Sequence, residues 1–202
     1  IYESFGTSTN PRAALVWKPY SDTVWRLGYS EAFRAPNAYE QYYNDGATAK
    51  GNTALKPEKI RSVELGWDQF IGNNIRTTVT GFFTRIDDLI EQTTDPADGM
   101  MVFMNKSRVE SRGGELQIEG KWENGVSGRL SYSYHDARNI DTDRPLENAP
   151  RTVAKASLTV PLPLLKQHFA TIETCYGSSR LNASGESVAG AAIVNLDRKS
   201  VV

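Results

Sequence analysis

The 202-residue chain has one cysteine, two histidines, almost no net charge and no long apolar run. Each scarcity removes a class of protein. Cys175 alone cannot build an intrachain disulfide framework, and no histidine pairs with it as a nucleophile. The histidines show no metal-ligand spacing. His135 and Asp136 are neighbours on a strand, so they point to opposite faces and make no base–orienter pair. A formal net charge of -1 gives no reason to expect a nucleic acid partner. No stretch reaches the ~20 apolar residues of a membrane helix, but a transmembrane strand needs only about ten alternating ones. The mean hydropathy of -0.47 therefore suits a soluble all-β domain and a membrane barrel alike. Asp87, Asp88 and Glu91 lack EF-hand spacing and read as a solvated strand end entering a loop. Gly113-Gly114 is followed by no helix and is not a phosphate loop. Neither an enzyme nor a bound cofactor is expected.

What the chain does have is alternation with period two, from end to end. Ile1 to Phe5 reads as the end of a strand, and Arg12 to Lys18 sets Ala13, Leu15 and Trp17 on one face. Thr23 to Phe33 follows with Trp25, Leu27, Tyr29 and Phe33. Lys59 to Phe70 alternates Val63, Leu65 and Trp67 with Glu64, Gly66 and Asp68, and Ile75 to about Glu91 runs back. Met101 to Trp122 reads as one long strand, or as two divided by a bulge at Gly113-Gly114. Gly128 to Asp136, Arg151 to Val160, Phe169 to Tyr176 and Ala189 to Leu196 bring the total to roughly ten strands. Short turns at Pro19, Gly72, Asn124 and Pro161 alternate with longer connections at Arg34, Asp95, Arg138 and Gly177. A barrel with tight turns at one rim and long loops at the other has this rhythm.

One face carries full charges, among them Glu64, Asp68, Arg76, Glu115, Glu119, Lys121, Arg129 and Lys155. The other is apolar, with Trp17, Trp25, Trp67 and Trp122 near strand ends. In a sandwich the apolar face meets a second sheet. In a membrane barrel it meets lipid, and tryptophans form an interfacial girdle. The pattern leaves both readings open.

The most informative stretch is Tyr29 to Gly66. Pro36 cannot donate to a ladder and stops one strand; Pro57 holds Lys56 extended and starts the next. The loop between them, roughly twenty residues, is far longer than a hairpin needs. Its ends read Phe33-Arg34-Ala35-Pro36, then Glu40 with Tyr43, then Gly51-Asn52-Thr53-Ala54-Leu55-Lys56-Pro57-Glu58. In this order and spacing they resemble the barrel of TonB-dependent outer-membrane receptors. That family carries an aromatic-Arg-Ala-Pro segment, a Glu-x-x-Tyr and a Gly-Asn-x-x-Leu-Lys-Pro-Glu segment opening a strand. The passages from Phe82 to Gln92, from Met104 to Gly120 and from Leu130 to Leu158 are similar to later strands of the same family.

The resemblance implies an all-β fold: a fragment of an antiparallel transmembrane β-barrel, whose full form closes about twenty-two strands around a plug. Residues 1–196 would be part of the C-terminal half of that barrel. The plug and the N-terminal segment that contacts TonB would lie outside this chain. The family's closing strand ends in an aromatic residue, whereas this chain ends Asp197-Arg198-Lys199-Ser200-Val201-Val202. Residues 197–202 are therefore set aside as a truncated or non-native tail. The implied function is energised uptake of a scarce nutrient, a ferric siderophore or another metal chelate, or cobalamin, at the outer membrane of a Gram-negative bacterium. The implied partners are outer-membrane lipid, TonB and that nutrient. Tyr39, Tyr42, Tyr43 and Asn44 are the candidate ligand contacts; packing of the loop on its neighbours is the competing role for each. Phe33, Arg34, Pro36, Glu40, Gly51, Asn52, Pro57 and Glu58 form the structural motif, with Arg34 expected to bond carbonyls or a carboxylate such as Glu40 or Glu58. The alternatives are a passive porin or adhesin barrel without TonB coupling and a soluble β-sandwich binding module.

Overall fold

A computed structural model describes residues 7–163, 168–182 and 184–200. The strand read at Ile1 to Phe5 and part of the turn after Pro161 lie outside the described residues. In chain order the elements are β1 (Arg12–Tyr20), β2 (Thr23–Arg34), α1 (Ala38–Tyr42), β3 (Ala49–Lys50), β4 (Glu58–Ile71), β5 (Ile75–Thr94) and β6 (Met101–Lys121). There follow β7 (Ser127–Asn139), β8 (Arg144–Pro145), β9 (Thr152–Pro161), β10 (His168–Gly177), β11 (Arg180–Leu181), β12 (Ser187–Val188) and β13 (Ala191–Ser200).

The long strands form one sheet in the order β1-β2-β4-β5-β6-β7-β9-β10-β13, each paired antiparallel with the next. This is a meander, the simplest topology that alternating strands and tight turns can produce. β3 joins β6 in parallel, β8 joins β7, and β11 with β12 makes a separate small hairpin. Among the described residues the sheet stays open between β1 and β13, so the chain is a stretch of wall and not a closed ring.

Register places the two side-chain sets on opposite faces. Leu15, Leu27 and Leu65 stand in one cross-strand row, and Trp17, Trp25 and Trp67 in the next. The Trp25 and Trp67 rings lie 6.1 Å apart. This apolar face is bare: Leu15, Leu65, Leu130, Leu158 and Leu196 are all exposed. Apart from Pro36, the buried apolar side chains among the described residues are Leu55, Ile90, Val102 and Val109. A sandwich would bury the interior faces of two sheets; here a single layer has no such core, and the few buried apolar residues sit at the long-loop end.

The apolar face has a sharp upper edge. Along β5 it runs from Ile75 to Phe83, about nine residues, which matches a tilted transmembrane crossing. Two residues further on, charge replaces it: Tyr29 gives way to Glu31, Val63 to Arg61, Phe83 to Arg85, Gly114 to Arg112 and Tyr134 to Asp136. β5 and β6, of 20 and 21 residues, continue well past this edge.

Three features differ from the sequence expectation. Gly113-Gly114 is not a bulge, because Gly114 faces Gly81 and Gly113 faces Phe82 in unbroken register. Its glycine has another cause: a Cβ on Gly113 would collide with the Tyr134 carbonyl oxygen and come 2.8 Å from the Phe82 ring. Phe82 lies across this gap against His135, 5.0 Å between centroids. The irregularity falls between Ile86 and Ile90, where Asp88 takes φ 59°, a left-handed backbone that Asp tolerates better than most residues. The long loop after β2 contains the helical turn α1, too short to show a helical period. The last strand ends beyond the expected Leu196, with Asp197 facing Thr171 and Ser200 facing His168.

Candidate functional site

The long loop after β2 is built by the motif residues themselves. Pro36 ends the strand, and Asn37 caps α1: its side-chain oxygen accepts from the Glu40 amide at 2.9 Å, while the Glu40 carboxylate accepts from the Asn37 amide at 2.8 Å. This reciprocal capping box satisfies two amides at the start of the turn. Glu40 also receives Arg34 Nη1 at 3.0 Å. The other side of the same guanidinium grips Glu58 through Nε at 2.8 Å and Nη2 at 2.7 Å. Glu58 Oε1 further accepts the Ile90 amide at 2.9 Å. One arginine thus ties the end of β2, the loop helix and the start of β4, in a two-pronged geometry that lysine does not offer.

These groups stand beyond the apolar band, and their charge states follow from the contacts. The Glu58 hydrogen bonds, then those to Glu40, raise the Arg34 pKa and outweigh partial burial. Burial works against the Glu58 charge, but the Arg34 guanidinium and the Ile90 amide more than compensate and lower its pKa. Both carboxylates are buried, while the Arg34 side chain is 41% exposed.

Gly51 and Asn52 close the loop onto this frame. A Cβ on Gly51 would strike the Gln41 carbonyl oxygen and lie 2.8 Å from the Tyr42 nitrogen, so only glycine lets the chain pass under α1. The Asn52 amide donates to the Glu40 carbonyl at 3.1 Å, and its side chain donates to the Phe103 carbonyl at 2.8 Å. Pro57 leads into β4 at Glu58. Phe33 lies on β2 opposite Lys59.

The loop is fastened to the β5–β6 hairpin by residues that the sequence did not single out. Lys50 Nζ reaches Asp95 and Asp98 in the hairpin tip, each at 2.6 Å. Those bonds, Asp95 first, raise the Lys50 pKa; Lys50 in turn lowers both carboxyls. Asn105 accepts from the Lys56 amide at 2.8 Å and donates to the carbonyls of Lys56 and Asp88 at 2.8 and 2.7 Å. Asp45 organises its own turn, accepting from the Ala47, Thr48 and Ala49 amides and the Thr48 hydroxyl. The hydroxyl and then those amides hold its carboxyl far below the ordinary value.

The aromatic candidates lie on this docked loop. Tyr39 stacks on Tyr43 at 4.4 Å and meets Phe103 edge-on at 6.0 Å, while Tyr42, 64% exposed, stands off from them. Asn44 turns inward on its own loop, accepting from the Gly46 amide at 2.8 Å. A cleft of about 810 Å³ opens between the upper β5–β6 hairpin and the loops after β7 and β10. Glu91, Gln92, Asn139, Arg144, Leu146 and Leu181 are among its walls. Glu91 and Asn139 both bond the Ser107 hydroxyl, at 2.8 and 2.9 Å. A mixed apolar and polar cleft of this size is large enough for a small-molecule ligand.

The comparisons with known proteins agree on the wall. Over 89 residues the chain is 30% identical to the vitamin B12 transporter BtuB of Vibrio cholerae, covering 44% of this chain and 14% of that protein. The siderophore receptor PirA of Acinetobacter baumannii superposes with a TM-score of 0.79 at 15% identity, over 98% of this chain and 35% of that one. The FrpB iron transporter of Neisseria meningitidis gives 0.73 at 15% identity, over 95% and 32%. The chain thus spans a third or less of the length of most of these proteins, all named as receptors or transporters. The model of the TonB dependent receptor-like β-barrel matches residues 2–197, nearly the whole length, and the chain belongs to that family.

Proposed function

We propose that this chain supplies wall and outer loops to an outer-membrane receptor that captures a scarce nutrient and imports it with energy relayed by TonB. The observation that carries the reading is the combination, on the same strands, of a bare apolar band one crossing long and a fastened loop assembly above it. In lipid every backbone group must be paired, which a closed antiparallel wall achieves, leaving the loops free to specialise. Tyr39, Tyr42 and Tyr43 would offer rigid aromatic surface to an arriving ligand, and the cleft beside Glu91 and Arg144 its polar contacts. Asn44 would shape the turn that carries them.

The cargo is a ferric siderophore or another metal chelate, with cobalamin as the second member of the class. The names of the similar proteins support the class and not the member: they include a vitamin B12 transporter, a siderophore receptor and a copper transporter.

The test is uptake by cells carrying the full-length receptor, offered radiolabelled cyanocobalamin and a panel of iron-55 siderophores, with and without functional TonB. Saturable accumulation of one compound that disappears without TonB is expected. Accumulation that persists without TonB would favour the passive porin.

A further inference from the structure

We propose that the cleft between the β5–β6 hairpin and the loops after β7 and β10 is a subsite for an uncharged metal complex with an amide- or hydroxamate-rich surface, and that it turns away polyanionic chelates. The inference rests on the reading of the chain as part of a nutrient receptor.

The cleft continues the charged face of the wall. Asn139, one of its lining residues, pairs with Val109, and from there an unbroken register runs along β6 and β7 to Glu119 and Arg129 on the same face. The cleft therefore lies on the side that a closed barrel would enclose. Its frame is fixed by hydrogen bonds. Besides holding the Ser107 hydroxyl with Glu91, Asn139 accepts from the Asp141 and Thr142 amides at 3.0 and 3.2 Å. The Asn148 amide donates to the Leu181 carbonyl at 2.7 Å and joins the two loops on the far side.

The charge of the cleft is of the wrong sign for a polyanion. Two carboxylates, Glu91 and Glu147, stand in its wall against one guanidinium, Arg144. The arginines that flank it in the chain are already committed to acids: Arg138 to Asp136 at 3.0 Å and Asp143 at 3.3 Å, and Arg108 to Asp141 at 2.6 Å. A ferric complex of three dianionic catecholates carries three negative charges. Seating it beside Glu91 and Glu147 sets like charges against each other in partly desolvated space, with one cation to offset them.

What the wall offers is neutral. Pro145, Leu146 and Leu181 supply apolar surface. The Gln92 side-chain amide and the Thr142 hydroxyl make no hydrogen bond among the described residues and can both donate and accept. A ferric tris-hydroxamate, whose three monoanionic groups cancel the charge of the iron, presents carbonyl and amide oxygens between alkyl segments. A corrinoid fringed with amides presents the same chemistry. A cleft of about 810 Å³ is large enough to seat one side of either.

The experiment uses the full-length receptor in neutral detergent and measures dissociation constants by calorimetry. The probes are ferrichrome, a neutral ferric tris-hydroxamate, cyanocobalamin, and ferric enterobactin, a tris-catecholate. One of the two uncharged complexes is expected to bind at least about 100-fold more tightly than ferric enterobactin, and which of them binds separates hydroxamate from corrinoid. The E91K/E147K variant should tighten ferric enterobactin about ten-fold, and Gln92→Ala should weaken the uncharged complex about three-fold. Glu123→Lys makes the same kind of charge change in the short turn between β6 and β7, at the opposite rim, and should alter neither. Heat-dependent mobility in gels checks that each variant is folded, and Glu147→Lys alone, at an exposed position, replaces the double variant if that one is not. Tighter binding of ferric enterobactin by the wild type, binding of none of the three probes, or a response of E91K/E147K no larger than that of Glu123→Lys overturns the proposal. Uptake that keeps the charge preference but persists in cells lacking TonB would instead overturn the receptor reading beneath it and leave the subsite in place.

Discussion

Two ion clusters in this wall have inverse composition. At Arg34 one cation serves two acids, Glu40 and Glu58. At Asp68 one acid serves two cations, Arg26 at 2.7 Å and Arg76 at 2.9 Å, with the Thr78 hydroxyl at 2.7 Å. The Asp68 cluster lies on the polar face and spans β2, β4 and β5, strands already joined by continuous ladders. The Arg34 cluster joins two strands to a loop that no antiparallel ladder holds. The weight of an ion cluster thus depends less on its own distances than on what remains when it is broken. Without Arg34, two buried carboxylates are left facing each other. Without the Asp68 charge, two arginine side chains, each 44% exposed, can turn to water.

The largest effect is expected of Arg34→Ala in the full-length receptor. It should cost about 3 kcal/mol, the scale for breaking a buried pair, mostly as local unfolding of the loop. Hydrogen exchange at the Asn52 and Ile90 amides should accelerate strongly, and expression should fall further than affinity for any ligand. Unchanged exchange there would remove the structural role. Gly51→Ala comes next, at about 2 kcal/mol, because the added methyl meets backbone that cannot swing away. Protease nicking between residues 37 and 56 reports it, and Gly28→Ala, with nothing within 4 Å of its Cβ, should be silent in the same assay. Asp68→Asn should cost about 1 kcal/mol, since the bonds weaken but the cations escape to solvent. A thermal shift as large as that of Arg34→Ala would refute the ranking.

The smallest effect is that of pH on the Lys50 clamp. The raised lysine contributes fully below its unfolded value near 10.4 and loses its contribution as pH rises through the folded one. The lowered Asp95 and Asp98 contribute above about 3.9 and lose theirs as pH falls through the folded values. Exchange protection of the Met101 amide, which donates to Thr48, should therefore be flat between about pH 5 and 9 after correction for intrinsic rates. A step near neutrality would mean that another group controls the loop.

Much of the wall was legible because a strand writes itself into sequence with a period of two, and a meander asks only for adjacent pairing. The Leu15–Leu27–Leu65 and Trp17–Trp25–Trp67 rows follow from alternation plus the short turns. Single-residue geometry was harder. Gly113-Gly114 suggested a bulge, but Gly113 clears space for Phe82, a neighbour in the next strand that spacing along one strand does not reveal. The capped turn at Asn37 and Glu40 escaped notice because five helical residues are too few for the period that announces a helix. The clamp from Lys50 to Asp95 and Asp98 joins residues more than forty apart, and only the folded hairpin brings them together. In the candidate site, sequence order showed that the loop was long and aromatic. It did not show that the loop is fastened down.

That fastening has a consequence for how the family's outer rim can vary. The β3 pair lies parallel along the first residues of β6, so the crest of one hairpin serves as the anchorage of its neighbour. Shortening the β5–β6 hairpin by a single pair of residues would withdraw the mooring of the preceding loop, and lengthening it would carry Asp95 and Asp98 out of reach of Lys50. Insertions and deletions in these two loops should therefore be inherited in concert, with lengths that rise and fall together while the wall beneath them keeps its register.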